Sequence, residues 1–184
     1  VLQTDFGLTT GFVASMYGVI RMVDQTLDVF DLNHEIRPFD MRQGSFLLRD
    51  TIPYWKGGTV FVSVVDPGVG TARKSCVAKL SNGSYIVTPD NGTLTYVKER
   101  IGIVAVREID ESVNRLKGSD KANSFHGRDV FAYTAARLAS GIINFEGVGP
   151  EYPVNEIVTF ETTHGTVAPG RAEGEIAGCT KHFG

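Results

Sequence analysis

Thr59-Val60-Phe61-Val62-Ser63-Val64-Val65 is a nearly continuous β-branched run, and Asp66-Pro67-Gly68-Val69-Gly70-Thr71 follows it at once. A run without alternation marks a strand buried on both faces, as in a parallel sheet covered by helices. The turn chemistry after it opens a loop at the strand's carboxyl end. Toward the N-terminus, Val1 to Gln3 reads as a strand entering the polar turn Thr4-Asp5-Phe6-Gly7. Phe12, Met16, Val19, Ile20 and Val23 then share one helical stripe, and Leu27 to Leu32 alternates as a strand would. Asp40, with Gln43 three places on, predicts a capped helix toward Trp55 that Pro53 limits. Toward the C-terminus, Cys76–Leu80 and Tyr85–Thr88 form a predicted hairpin through Ser81-Asn82-Gly83-Ser84. A break at Pro89-Asp90-Asn91-Gly92 precedes a helix over Thr93–Arg100 and a short strand over Ile103–Val106. After a polar stretch from Asp110 to Ser124, a helix spans Arg128–Ala139 and Gly141 closes it.

Strands alternating with amphipathic helices give an α/β class, a mainly parallel sheet sandwiched by helices. Beyond Pro150 the texture changes: Glu156–Thr162 and Arg171–Cys179 read as strands with no helix between them. The expected division is an N-terminal α/β domain over 1–155, then a linker and the first strands of an all-β domain over 156–184. Both ends stop in mid-pattern, so the chain reads as part of a longer one.

The 184 residues carry Lys+Arg 18 against Asp+Glu 21, a formal charge of -3, so no basic footprint for DNA or RNA exists. No apolar run approaches a bilayer span of about 20 residues, so no membrane partner is expected. Cys76 and Cys179 belong to no C-x-x-C pair, and two free thiols in a reducing cytoplasm is the expected state.

In an open parallel sheet ligands bind outside the carboxyl ends of the strands, so three loops are candidates for chemistry. Asp5 follows the first strand; it either caps a turn or accepts two hydrogen bonds from a vicinal diol. Asp66 follows the apolar strand; it either starts an Asp-Pro-Gly turn or pairs with Arg73 as an oriented carboxylate. His126, beside Gly127 at a helix start, either caps that helix or titrates next to amides that bind an anion or a polarised water. Arg128 and Asp129 read as scaffold that caps and pairs, and His34 as structural. Gly68-Val69-Gly70 is no dinucleotide fingerprint, and neither a P-loop nor G-x-S-x-G occurs. Nothing in the spacing of Asp5, Asp66, Asp90, His34 and His126 requires a metal.

Four motifs in order, Thr4-Asp5-Phe6-Gly7, Val65 to Thr71 with Arg73, Thr88-Pro89-Asp90-Asn91-Gly92, and Phe125-His126-Gly127-Arg128-Asp129-Val130-Phe131, resemble the S-adenosylmethionine hydroxide adenosyltransferase family. These adenosine-forming S-adenosylmethionine hydrolases are related to the fluorinase and chlorinase. The resemblance spans essentially the whole chain, and the tail from Gly174 looks like the entry to the family's C-terminal β-barrel domain.

The resemblance implies displacement by water at the 5′ carbon of the adenosyl group, giving adenosine and L-methionine. The sulfonium already activates that carbon, so no metal and no cofactor is implied, and S-adenosylmethionine is the substrate. Asp66, Arg73 and His126 match the family's catalytic trio. Asp5 matches the ribose-diol ligand, Phe39 the ring that packs on the substrate where halogenating relatives carry Trp, and Gly127 an amide donor to the nucleophile. Phe125 lies in the same substrate-binding motif. The halogenases lack the Asp at the Asp66 position and the His at the His126 position, so the trio points to water rather than halide. A homotrimer with sites between subunits is implied too. Thr10, Thr180 and Lys181 stand where some relatives carry acidic residues for the methionine end. That departure supports the second reading, a binding module for S-adenosylmethionine or adenosine with weak or no turnover.

Overall fold

A computed structural model describes residues 1–120, 124–174 and 176. Seven strands form one sheet: β1 (Leu2–Thr4), β2 (Asp31–Asn33), β3 (Val60–Val64), β4 (Ser75–Leu80), β5 (Tyr85–Pro89), β6 (Ile103–Glu108) and β7 (Glu151–Tyr152). Their order is β2-β1-β3-β5-β4-β6-β7. β2, β1, β3 and β5 pair in parallel, whereas β4 is antiparallel to β5 and β6, and β7 antiparallel to β6. Only β4 and β7 therefore oppose the common direction, and the α/β class with a mainly parallel sheet holds.

The helices α1 (Phe12–Val23), α2 (Met41–Thr51), α3 (Thr95–Arg100) and α4 (Tyr133–Ala139) cover both faces, and a π-helical turn over Gly127–Ala132 leads directly into α4. β3 shows why its sequence carries no alternation. Val62 and Val64 pack with Met16, Ile20 and Phe131 in one core, and Phe61 packs with Leu48, Ile52 and Leu94 in the other. Both faces are dry, so both must be apolar. The Asp40 side chain accepts from the Gln43 amide at 2.9 Å, as the capping pattern predicted, and Pro53 sits in a 3-10 turn over Ile52–Tyr54 that ends α2. The hairpin over β4 and β5 also forms where its sequence placed it.

Three expectations need correction. The alternation over Leu27–Leu32 pairs only as Asp31–Asn33, because β1 offers only three residues to pair with, and Leu27 and Val29 pack against the core as irregular chain. Glu156–Thr162 is not a strand. Glu156 ends a 3-10 turn over Val154–Glu156, and beyond it amides go to side chains instead of a ladder: Val158 N donates to Asp90 Oδ1 at 2.9 Å and Phe160 N to Thr95 Oγ1 at 3.2 Å. In its described part the strand expected over Arg171–Cys179 ends at Glu173: β9 (Arg171–Glu173) pairs with β8 (Thr166–Ala168) in an exposed antiparallel hairpin, and residues 175 and 177–179, Cys179 included, lie outside the described residues. Among the described residues no helix is long and apolar enough to cross a membrane.

The strand order sets where a ligand fits. From β1 the chain leaves through α1 to β2 on one side, and from β2 it returns through α2 to β3 on the other side of β1. The chain leaves β1 toward β2 and leaves β3 toward β4 and β5 on the opposite side. The two exits thus diverge between β1 and β3, and a crevice opens beyond Thr4 and Val64, which are paired in register.

Candidate active site

Asp5 and Asp66 leave the ends of those two adjacent strands, and His126 arrives from the turn before α4. All three line a cavity of about 500 Å³, together with Phe39, Phe125 and Gly127. The structure brings these six together, with Arg73 directly behind them.

Arg73 is the joint. Its Nε donates to Asp66 Oδ1 at 2.9 Å and Oδ2 at 3.1 Å, and its Nη2 donates to Asp66 Oδ2 as well. The same Nη2 lies 3.1 Å from His126 Nδ1, and Nη1 donates to Ser75 Oγ at 2.7 Å. The loop from Asp66 to Arg73 closes on itself through Thr71 N to Gly68 O at 3.0 Å. A Cβ at Gly68 would stand 3.2 Å from Arg73 Cγ, so the absent side chain gives the arginine its path back to Asp66. Both charged side chains are dry, at 10% and 5% exposed. In such a place a two-point Arg–carboxylate pair fixes orientation as well as charge.

The contact to His126 fixes the imidazole's tautomer. A guanidinium only donates, so Nδ1 accepts and the neutral ring carries its hydrogen on Nε2. That Nε2 is buried and has no hydrogen-bond partner among the described residues. A buried donor without an acceptor costs about 1–3 kcal/mol, which a ligand oxygen in the cavity removes. Burial pushes the His126 titration below the ordinary histidine value, Arg73 and Arg115 push the same way, and Glu111 and Asp66 oppose them.

Asp5 is coupled to Phe39. Its Oδ2 accepts the Phe39 amide at 2.9 Å, and its carboxylate keeps lone pairs for a ligand. Burial raises the Asp5 titration, the Phe39 amide opposes that, and the Asp66 charge adds to it. Phe39 itself has φ 66°, a left-handed conformation that costs a non-glycine residue about 1–3 kcal/mol. Its ring is 64% exposed at the cavity mouth. A strained residue held open by a site carboxylate belongs to that site's design rather than to the core.

Phe6, Phe12 and Phe125 form the apolar wall, edge to face, with centroids 5.2 to 6.1 Å apart. A Cβ at Gly127 would stand 3.0 Å from Phe6 Cζ, so glycine lets that ring pack over the start of the turn. Phe12 shares the helical stripe with Met16 and Ile20, but it lines the cavity, half exposed. Ser75, Glu111 and Arg115, which surround the trio from behind, carried no signal in their spacing.

The remaining candidates have structural work. His34 Nδ1 pairs with Thr4 Oγ1 at 2.8 Å and its Nε2 with Asp31 Oδ1 at 3.0 Å. Asp90 accepts from Tyr152 OH at 3.0 Å and from Val158 N. Arg128 pairs with buried Asp129 at 2.6 Å, as a scaffold pair would. Among the described residues no three histidine, cysteine or acidic side chains gather as a metal site would. Thr10 Oγ1 accepts from Phe12 N at 3.5 Å; Thr180 and Lys181 lie outside the described residues.

The chain has close relatives. It is 39% identical over 166 residues to a Methanocaldococcus jannaschii protein named (R)-S-adenosyl-L-methionine hydrolase, covering 88% of this chain and 59% of that one. It is 28% identical over 198 residues to a fluorinase of Actinopolyspora mzabensis, covering 96% of this chain and 64% of that one. The crystal structure of an uncharacterized conserved protein from Thermotoga maritima superposes with a TM-score of 0.91 at 35% identity, over 98% of this chain and 67% of that one. The chain thus spans about three fifths of the length of the curated relatives it matches. The family model for the SAM hydroxide adenosyltransferase N-terminal domain matches residues 1–149. The chain belongs to the SAM hydroxide adenosyltransferase family.

Proposed function

We propose that the protein hydrolyses S-adenosyl-L-methionine to adenosine and L-methionine by in-line attack of water at the 5′ carbon. The observation that carries this reading is the convergence of Asp66 and His126 on one arginine beside Asp5, at the crevice between β1 and β3. The Methanocaldococcus relative's name supplies the substrate and its (R) configuration at sulfur.

The chemistry asks little of the protein beyond placement. The leaving group is a neutral thioether and the carbon is already activated, so no acid, metal or cofactor has to assist departure. Rate comes from holding a water in line with the C–S bond and giving its proton a destination. Asp5 receives the ribose diol and the Phe39 ring covers the nucleoside. Phe6, Phe12 and Phe125 keep bulk water out. The water donates one hydrogen to Asp66 and surrenders the other toward His126, and the Gly127 amide, early in a helical turn where no intrahelical acceptor precedes it, steadies the oxygen.

Phe12 and Phe39 leave an exposed apolar rim at the cavity, at 50% and 64%. That rim supports a homotrimer in which a neighbouring subunit completes the site. The exposed hairpin of β8 and β9 supports the start of a second β domain over 156–184.

The test is incubation of the full-length protein with each sulfonium epimer, in halide-free and chloride-rich buffers, with products resolved by chromatography. Adenosine and methionine in both buffers is the expected result, with the (R) epimer preferred. A 5′-chlorinated nucleoside would overturn water as the nucleophile, and bound but unconverted substrate would favour the binding module. Light scattering of the same sample checks the trimer.

A second expectation concerns Gly127→Ala. The added methyl forces the Phe6 ring to give by a few tenths of an ångström, into the space of the nucleoside. The helix gains back up to about 1 kcal/mol of propensity, so stability changes little. Adenosine affinity falls several-fold, roughly 1 kcal/mol, the low end of an overpacking penalty, and calorimetric titration reads it.

A further inference from the structure

The proton leaving the water meets an imidazole in the wrong tautomer. With Nδ1 accepting from Arg73, Nε2 already carries its hydrogen, so the ring can hold a water oxygen and cannot take its proton. Uptake at Nε2 requires the hydrogen on Nδ1, and an Nδ1–H requires a negative group to face.

One carboxylate stands there besides Asp66. Glu111 Oε1 is 3.9 Å from His126 Nδ1, a charge-pair distance. Its Oε2 accepts from Arg115 Nη1 at 2.7 Å, and Oε1 receives the Ser75 hydroxyl at 3.5 Å, the hydroxyl that also accepts from Arg73. The loop carrying Glu111 is fastened at both flanks. Asp110 N donates to Val148 O at 2.9 Å, and fully buried Asn114 donates through Nδ2 to Gly147 O and Val148 O at 3.0 and 2.9 Å. Leu116 N donates to Asp129 O at 2.8 Å, which ties the loop to the turn that bears His126. Glu111 is therefore held at its distance from the ring by the fold.

Resting on the hydrolase reading, we propose that Glu111 is the positioning residue through which His126 takes up the proton of the attacking water. The ring exchanges its proton through solvent before the site fills, so that Nδ1–H faces Glu111 while Arg73 keeps its bonds to Asp66. On attack, the oxygen–C5′ bond forms and the C5′–S bond breaks, its electron pair going to sulfur. One O–H bond of the water breaks as Nε2–H forms. The positive charge passes from sulfonium to imidazolium, and the imidazolium returns its proton to solvent after product release. The charged groups facing the ring are Asp66, Glu111, Arg73 and Arg115, which balance one another. The new charge thus has no net counter-ion in the site, and the nearness of Glu111 is what makes it tolerable.

The experiment uses the full-length protein labelled with ¹⁵N-histidine, with His126 assigned by loss of its signals in His126→Ala. Glu111→Gln keeps the side chain's size and its reach to Arg115. It is expected to lower the midpoint at which His126 protonates and to hold the neutral ring in the Nε2–H form. It should also reduce kcat by roughly ten- to hundredfold with little change in KM. Glu111→Asp, which keeps the charge at greater distance, recovers part of both effects. Loss of kcat with an unmoved His126 titration would overturn the assignment, making Glu111 only scaffold, and so would unchanged kcat. Wild-type protein without turnover would overturn the hydrolase reading first and the Glu111 role with it. Wild-type turnover with an unmoved midpoint in Glu111→Gln removes the Glu111 role alone.

Discussion

His126→Ala lowers kcat by a factor on the order of 10² to 10⁴ and leaves adenosine binding within a few-fold of wild type. Among the described residues the imidazole is the one side chain lining the cavity with an unpartnered, buried nitrogen. Its contacts to the scaffold among the described residues run through Nδ1, to Arg73 and Glu111, so truncating it opens space for water without unseating the nucleoside wall of Phe6, Phe12 and Phe125. Single-turnover rates and adenosine calorimetry on the same preparation separate the two effects. A loss confined to affinity would show that His126 merely shapes the pocket. The wild-type pH profile supplies an independent check. A protonated ring cannot take a proton from water, so kcat/KM falls as pH drops through the His126 midpoint. Burial, Arg73 and Arg115 depress that midpoint, so the acid limb lies below where an unperturbed histidine would put it.

Much of this site was visible in one dimension because it rests on strand ends. The β-branched run of β3 announced a strand buried on both faces, and the polar residues just after it had to emerge at one end of the sheet. Asp5 and Asp66 could be placed in one crevice by that logic alone. Arg73 and His126 stand as candidates in their own loops, the resemblance joins them to Asp66 as one trio, and the structure shows the two in contact. What stayed hidden was what periodicity does not encode. Phe12 obeys the helical stripe of α1, but a stripe says only that a face is apolar, and the first turn of α1 faces a cavity rather than a core. Within Glu156–Thr162 the Val158 and Phe160 amides end on Asp90 and Thr95 rather than on a neighbouring strand, so a strand-like pattern marks a strap. Glu111 and Arg115 lie in the stretch from Asp110 to Ser124, which is recognisable in sequence only as polar. The ties of Asp110 and Asn114 to Val148 and of Leu116 to Asp129 turn that stretch toward His126, and such long-range carbonyl pairings leave no trace in local composition.

Arg73→Met destabilises the fold by about 3–5 kcal/mol and abolishes turnover, and the two losses have different remedies. Removing the guanidinium strands the Asp66 carboxylate, 5% exposed, without the three donor contacts that now compensate it. It also frees Ser75 and releases His126 Nδ1. The stability cost is mostly that of an uncompensated buried charge rather than of lost attraction, which leads to a sharper expectation for a second change. Arg73→Met combined with Asp66→Asn carries no buried charge at either position, so most of the lost stability returns, and urea denaturation midpoints show a strongly non-additive pair. The Met side chain still fills the space beside the Phe131 ring, where the guanidinium now lies 5.3 Å from the centroid. Turnover does not return, because a neutral amide at position 66 orients the attacking water more weakly than a carboxylate does and His126 Nδ1 has lost its contact with Arg73. Recovery of both stability and activity in the double variant would mean that the pair is scaffold and the chemistry lies with His126 alone. Recovery of neither would mean that the loop from Asp66 to Arg73 folds only around its ion pair.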